Sequence, residues 1–307
     1  MKNNLSVFGQ KLKEIRKNLG LTQDDVVQKT NGNISRPTLQ RYESGKYAPS
    51  IETLNFLSDV YQLDLYEYFL IFQKEQLPQI QQVETLFQKN FSPITSCQLL
   101  KQLSALLKKE ALPPHLKSYY MRLFLLTKGV HLKFRKNYKK AIPILLHALQ
   151  LRFKNFNLKN YADFSYFSLD YRILCNLADA LNKCSAFLIP KAKEIYQFMY
   201  QNCPESYPVY PQICFHLGFL LINQQQHSHA KTVLEKGIRA SQAHLSYSLL
   251  PQLYYAKAVC EYYLSPSLCS HAFLYSYVLA KAFDNEEFAE WISDVCSNFY
   301  QLKLELE

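Results

Sequence analysis

An all-α fold is predicted, in two parts: an N-terminal five-helix helix-turn-helix domain, then a solenoid of stacked helical hairpins. Three observations predict it. Apolar residues recur at helical spacing nearly throughout the 307 residues. Glycine is scarce, at 7 residues, while 20 Phe and 23 Tyr supply large core side chains. Small residues return at fixed separations in the second part, as they do where helices pack closely in pairs. The length is enough for two units with sizeable cores.

From Leu21 to Gly45 the chain runs LTQDDVVQKTNGNISRPTLQRYESG, two short helices joined by a turn. Thr22 caps the first helix with Asp25 as its acidic capping-box partner, and Val26 and Val27 form its inner side. Asn31-Gly32-Asn33 breaks it, because Gly and Asn tolerate positive φ. Ser35 caps the second helix and Pro37 fits its first turn, where no intrahelical donor is needed. Leu39 and Tyr42 face inward at i, i+3 spacing, and Gly45 ends the helix. Arg36, Thr38, Gln40 and Arg41 are left pointing out. Ser50, after Pro49, caps a further helix carrying Ile51, Leu54, Leu57 and Val60, and a last short helix is expected near residues 65–70.

Cationic residues on the second of two short helices suit DNA. A major groove admits a helix, and Arg donates bidentately to guanine O6 and N7, whereas Ser, Thr and Gln bond phosphates or bases. Arg36 and Arg41 are the expected base readers, with Gln40 on the same face. Pro37 offers apolar contact, as to a thymine methyl, and Gln23, Ser35, Thr38 and Lys46 are placed for the backbone. The plainer alternative is that Arg36 and Arg41 form only a solvated face. Gln23, Leu39, Glu43 and Gly45, with the upstream FGQKLKEIRKNLGLTQ, resemble the helix-turn-helix of lambdoid phage repressors and the Xre group over about residues 8–69. The resemblance implies that Gln23 bonds a phosphate and that Arg36, Pro37 and Arg41 approach base edges. The turn is about two residues longer here than in the phage proteins.

A net charge of +10 supports an anionic partner, and it is dense at the front: residues 1–50 hold nine Lys or Arg against four acids. No signal-peptide pattern opens the chain, and no apolar run approaches the roughly 20 residues of a spanning helix, so a cytoplasmic protein with no membrane partner is expected. The eight cysteines lie outside the helix-turn-helix without a close CxxC pair, which fits a reducing compartment. They are either apolar filler or a redox or intersubunit switch. No HExxH, glycine-rich phosphate loop or nucleophile elbow occurs, so neither enzyme, cofactor nor metal is expected. His227 and His229 beside glutamines read as a solvated turn rather than a metal site.

The polar, Gln-rich stretch QKEQLPQIQQ marks a linker at 73–82, dividing a domain at 1–72 from one at 83–307. A weak hairpin is expected over residues 79–112. Gly129 is followed by Ala141 and Gly218 by Ala230, both at twelve; Ala178 with Ala192 and Ala258 with Ala272 are offset by fourteen. Small residues on facing helices let two axes approach, so each pair marks a hairpin. Gly129, Leu132, Tyr138, Ala141, Leu145 and Ala148 fall at successive positions that resemble the tetratricopeptide signature, as do Leu217, Gly218, Leu221, Ala230, Leu234 and Gly237. The resemblance implies a right-handed helical solenoid. Ala178 to Gly218 and Gly218 to Ala258 each span forty residues, against about 34 in that family, so turns are extended. Pro190 would start an outer helix and Pro266 would sit in the last turn.

In such an array the inner helices line a concave groove able to hold an extended chain or a helix. Counting from the small residues, its lining is Arg172, Asn176, Asp179, Asn182, Gln212, Phe215, His216, Phe219, Asn223, Gln252, Tyr255 and Tyr262. Asn and Gln suit a peptide's backbone amides, Phe and Tyr supply apolar pockets, and Arg172 suits a carboxylate. The alternative is that these residues satisfy one another or water. Together the two parts resemble the RNPP family of Gram-positive quorum-sensing regulators. That resemblance implies a cytoplasmic homodimeric transcription factor binding an operator in double-stranded DNA, with a groove for a short signalling peptide, and makes Asn176, Asn182 and Asn223 the counterparts of the family's groove asparagines. Phe288, Trp291, Ile292 and Val295 form an apolar stripe for dimerisation or for capping the solenoid. The other readings are a phage-type dimeric repressor without a ligand, or an adaptor holding a protein partner.

Overall fold

The computed structural model describes residues 2–61, 63, 65, 92–108, 114–243, 247–265 and 269–302. The expected linker at 73–82, most of the expected fifth helix after Leu65, the start of the hairpin at 79–112, and Pro266 lie outside the described residues. The described residues are helical and contain no strand. They fall into two compact units, Met1–Phe124 and Leu125–Glu307. None of the helices is long and apolar enough to cross a membrane.

The first unit opens with α1 (Lys2–Asn18), α2 (Gln23–Lys29), α3 (Arg36–Glu43) and α4 (Ile51–Tyr61). Phe8, Leu12 and Ile15 of α1 meet Val26, Ile34, Leu39, Leu54, Leu57, Tyr61 and Leu65 in one core. The caps form as the sequence predicts. Thr22 Oγ1 accepts the Asp25 amide (3.1 Å) while Asp25 Oδ2 accepts the Thr22 amide (2.7 Å). Ser35 Oγ accepts the Thr38 amide (3.4 Å). Gly45, at φ 68°, closes α3 against α1: a Cβ there would sit 2.4 Å from Ser6 Cα, so only glycine permits the approach. Helix α5 (Pro93–Leu107) is capped by Ser92 and buries Leu99, Leu103 and Leu106. Helix α6 (Pro114–Phe134) follows.

The second unit is a series of antiparallel hairpins. After α6 come α7 (Tyr138–Gln150), α8 (Ser168–Cys184), α9 (Ile189–Asn202), α10 (Tyr210–Asn223), α11 (His227–Ala243), α12 (Leu250–Leu264), α13 (Cys269–Ala282) and α14 (Glu286–Val295). Each helix from α7 onward packs on the next, and α10 also touches α8 and α12, so α8, α10 and α12 form an inner row. Pro190, Pro211 and Pro251 occupy first turns, where a missing N–H costs nothing. All four small-residue pairs are buried. The two glycine notches receive the same partner: a Cβ on Gly129 would lie 2.6 Å from Leu145 Cδ2, and one on Gly218 2.6 Å from Leu234 Cδ2. The fourteen-residue offset at Ala178 comes from an extra 3-10 turn, Ala186–Leu188. The forty-residue intervals arise between hairpins, in loops such as 203–209.

Replacing Gly218 by Val forces a branched side chain into the volume of Leu234 and is expected to lower stability by about 1–3 kcal/mol. Urea unfolding checks this through a lower midpoint at unchanged slope. A wild-type midpoint would remove the notch from the packing account.

Candidate nucleic-acid interface and inner groove

The helix-turn-helix is organised around one carboxylate. Arg16 on α1 donates through Nε to Glu43 Oε1 (2.5 Å), through Nη2 to Glu43 Oε2 (3.0 Å), and through Nη1 to the Leu21 carbonyl (2.8 Å). Gln23, first residue of α2, donates Nε2 to Glu43 Oε2 (2.9 Å). Three helices therefore share Glu43, whose side chain is 3% exposed against 9% for Arg16. Little water reaches the pair to screen it. The Gln23 amide expected on a phosphate is thus half-buried and oriented by Glu43, with one of its two N–H groups spoken for.

This frame presents the opposite side of α3 to solvent. Arg36, Pro37, Gln40 and Arg41 are exposed together, as is Lys46 beyond Gly45. Arg36 Nη1 rests 3.1 Å from Asp24 Oδ2, an exposed ion pair worth at most about 1 kcal/mol. The Arg41 guanidinium lies 6.0 Å from the Tyr47 ring centroid. Ser35 and Thr38 bond each other at 2.7 Å as part of the cap. Asp24 and Tyr47 carry no sequence signal of their own; each is found only by what lies next to an arginine. Asp25 is held below the usual carboxylate range by its hydrogen bonds from Thr22.

On the inner row, Arg172, Asn176, Asp179 and Lys183 lie along one stripe of α8 at helical spacing. Asn176 and Asp179 are buried, and the group that covers them comes from another helix. Lys133 Nζ of α6 donates to Asn176 Oδ1 (2.8 Å) and pairs with Asp179 Oδ2 (2.6 Å). Asn176 Nδ2 donates in turn to the Arg172 carbonyl (2.8 Å). Two of the expected groove residues are therefore engaged internally, by a lysine that sequence reading did not single out. Burial opposes ionisation of Asp179, but Lys133, His216 and Lys183 overcome it and hold its pKa down at about 2. His216, half-buried on α10, is pushed down to about 4 by burial, reinforced by Lys133 and Lys183 against the pull of Asp179. It is neutral at pH 7.

Further along, the lining turns aromatic. His216 stacks on Tyr196 (5.3 Å between centroids) and meets Phe215 edge-on (5.4 Å). Phe215 neighbours Phe219 (6.1 Å), which is 44% exposed. Arg172, Asn182 and Gln212 are half-buried and Asn223 is exposed. With its amide oriented to satisfy both ends, Gln252 donates to the carbonyls of Leu249 (3.2 Å) and Ser248 (3.3 Å). Tyr255 and Tyr262, both half-buried, join the last aromatic cluster: Tyr255 lies 4.8 Å from Trp291, and Tyr262 4.7 Å from Tyr300. Phe288 and Ile292 of the predicted C-terminal stripe pack into that same cluster, over Ala258, Ala272 and Phe273. Among the described residues no group of His, Cys, Asp and Glu side chains is arranged to hold a metal ion.

Residues 12–68 match the helix-turn-helix family. No curated protein matches the sequence. The chain is similar in structure to Bacillus thuringiensis PlcR in complex with the peptide PapR7 and DNA, at 17% identity over 94% of this chain and 99% of that one, with a TM-score of 0.54. PlcR in its apo form matches at 16% identity over 93% and 98%, with a TM-score of 0.55. ComR from S. thermophilus in complex with DNA and its signalling peptide ComS matches at 13% identity over 96% and 100%, with a TM-score of 0.52. The likeness is one of fold: an Xre-type helix-turn-helix followed by tetratricopeptide-type hairpins.

Replacing Arg16 by Met strands a buried carboxylate and is expected to cost about 3–5 kcal/mol, with much of that recovered when Glu43→Leu is added. Denaturant melts of the single and double variants decide it; equal losses in both would contradict the pairing. A second expectation concerns acid. His216 binds its proton less readily folded than unfolded, so stability is full above the unfolded value near pH 6.5 and falls as pH drops towards about 4. His216→Gln should flatten that slope in urea melts taken across the window.

Proposed function

We propose that the chain is a cytoplasmic, homodimeric transcription regulator of the RNPP type, not an enzyme. In this reading residues 1–72 bind an operator and residues 83–307 bind a short signalling peptide and dimerise. The observation that carries it is the solvent-facing side of α3, where Arg36, Pro37, Gln40 and Arg41 stand together on a helix held rigid by Glu43. Arg36 and Arg41 read base edges, while Gln23, Ser35, Thr38 and Lys46 contact phosphates. The similarity in fold to regulators crystallised with DNA and with signalling peptides supports it over nearly the full length.

The signal acts by differential affinity. Two helix-turn-helix units in a dimer address half-sites about 34–36 Å apart, so a ligand that favours one arrangement of hairpins alters the fit. A preference of about 1–3 kcal/mol is enough for a useful switch. Arg172, Asn182, Gln212, Phe215, Phe219 and Asn223 are among the groove residues proposed to contact the peptide. A second reading, a dimeric repressor with no ligand, is favoured by one observation: Lys133 already occupies Asn176 and Asp179.

Selection of duplexes from a random pool, then titration with and without short peptides exported by the source cell, separates the two. An operator affinity that shifts with a peptide supports the regulator; indifference to all of them supports the plain repressor. Arg41→Ala is expected to lose about 1–3 kcal/mol of operator binding and relax preference at one base pair. Unchanged specificity would take Arg41 out of the reading role.

A further inference from the structure

We propose that the inner face of the second unit contains a seat for the C-terminal carboxylate of a short peptide, with Lys183 as the cation that holds it. The inference rests on the peptide-binding reading and adds to it the chemistry and direction of the ligand. It starts from a charge imbalance. Lys133 and Lys183 share one carboxylate, Asp179. His216 beside them is neutral at pH 7 and brings no compensation. The three ionised side chains, Lys133, Lys183 and Asp179, sum to one positive charge, which one carboxylate offsets.

The surplus sits on the lysine that a ligand can reach. Lys133 is 12% exposed and turned inward to Asn176 and Asp179, whereas Lys183 is 51% exposed. Lys183 Nζ lies 3.2 Å from Asp179 Oδ1, yet that buried oxygen accepts no hydrogen bond among the described residues. Lys183 therefore offers donors, and Asp179 Oδ1, its ion-pair partner 3.2 Å away, keeps lone pairs for an N–H. The last residue of a peptide carries the complement within a single residue, a carboxylate to accept and its own N–H to donate. In a mid-peptide Asp the carboxylate stands one carbon farther from the residue's own N–H. Lys183 turns outward on its four-carbon stem to meet the carboxylate and uncovers Asp179 Oδ1 as it does so. His216 connects this corner to Phe215 and to the exposed ring of Phe219, an apolar surface for the side chains that precede the terminus.

The test uses the full-length protein and three pools of short synthetic peptides built from Leu, Phe, Val, Gly and Ser. One pool ends in a free carboxylate, one in an amide, and one in an amide with a single internal Asp; capture is read by mass spectrometry. The free-acid pool is expected to be retained about tenfold over both amide pools, as one charge-assisted hydrogen bond gives. Lys183→Gln should bring it down to the amide level, and Lys183→Arg should keep most of the difference. Equal retention of acid and amide, preference for the Asp-containing amide, or an unaffected Lys183→Gln variant overturns the seat while leaving peptide binding intact. Retention of no pool overturns the peptide-binding reading itself.

Discussion

Buried carboxylates, each held by a cation from another element, set the register on which the rest of the chain depends. Glu43 takes Arg16, Asp179 takes Lys133, Asp170 takes Arg152, and Glu261 takes Lys231. An apolar stripe alone tolerates sliding by a turn, because one Leu replaces another at small cost. An ion pair taken out of water does not, since separating it leaves a buried charge at about 3–5 kcal/mol. Such pairs add little net stability over hydrophobic residues of equal volume; their effect here is to single out one relative placement of helices. For α3 that placement keeps two arginines and a glutamine together on one side facing solvent.

In the second unit the register device is superimposed on a repeated backbone. Gly129 with Leu145 and Gly218 with Leu234 make the same close approach, and Lys136 and Gln225 take the same left-handed turn seven residues after each glycine. Asp284 repeats that turn before α14, and Asn137 and Asn285 cap the helices that follow Lys136 and Asp284. Because packing is carried by outer-to-inner contacts, the inner-row positions are released from the repeat and differ from hairpin to hairpin. They run from charged at α8, through aromatic at α10, to closed by α14 at Tyr255. A groove with chemically distinct ends can orient an extended ligand, which a uniform one cannot.

Local signals were legible wherever a residue's role depends on its neighbours in sequence. Thr22 with Asp25, Ser35 with Thr38, and Pro190 all act within one helical turn, and the structure has them as the spacing implies. The small-residue pairs were legible too, since the hairpin they build is contiguous. The occupants of the inner row were not. Lys133 meets Asp179 across 46 positions and Arg16 meets Glu43 across 27, and nothing in a single chain's spacing marks those partners. Nor does counting along α12 show that Tyr255 meets Trp291 or that Tyr262 meets Tyr300.

The sequence by itself determined the class of each part: helices, their caps, the small residues that let them pair, and a cationic second helix in the first part. These depend on backbone sterics and on contacts a few residues apart, which any chain of this order must satisfy. The tertiary structure alone decided which polar side chains face solvent and which are consumed inside. That choice turns on the desolvation of a charge, and a carboxylate such as Asp179 is either free or spoken for only once another helix has delivered its cation.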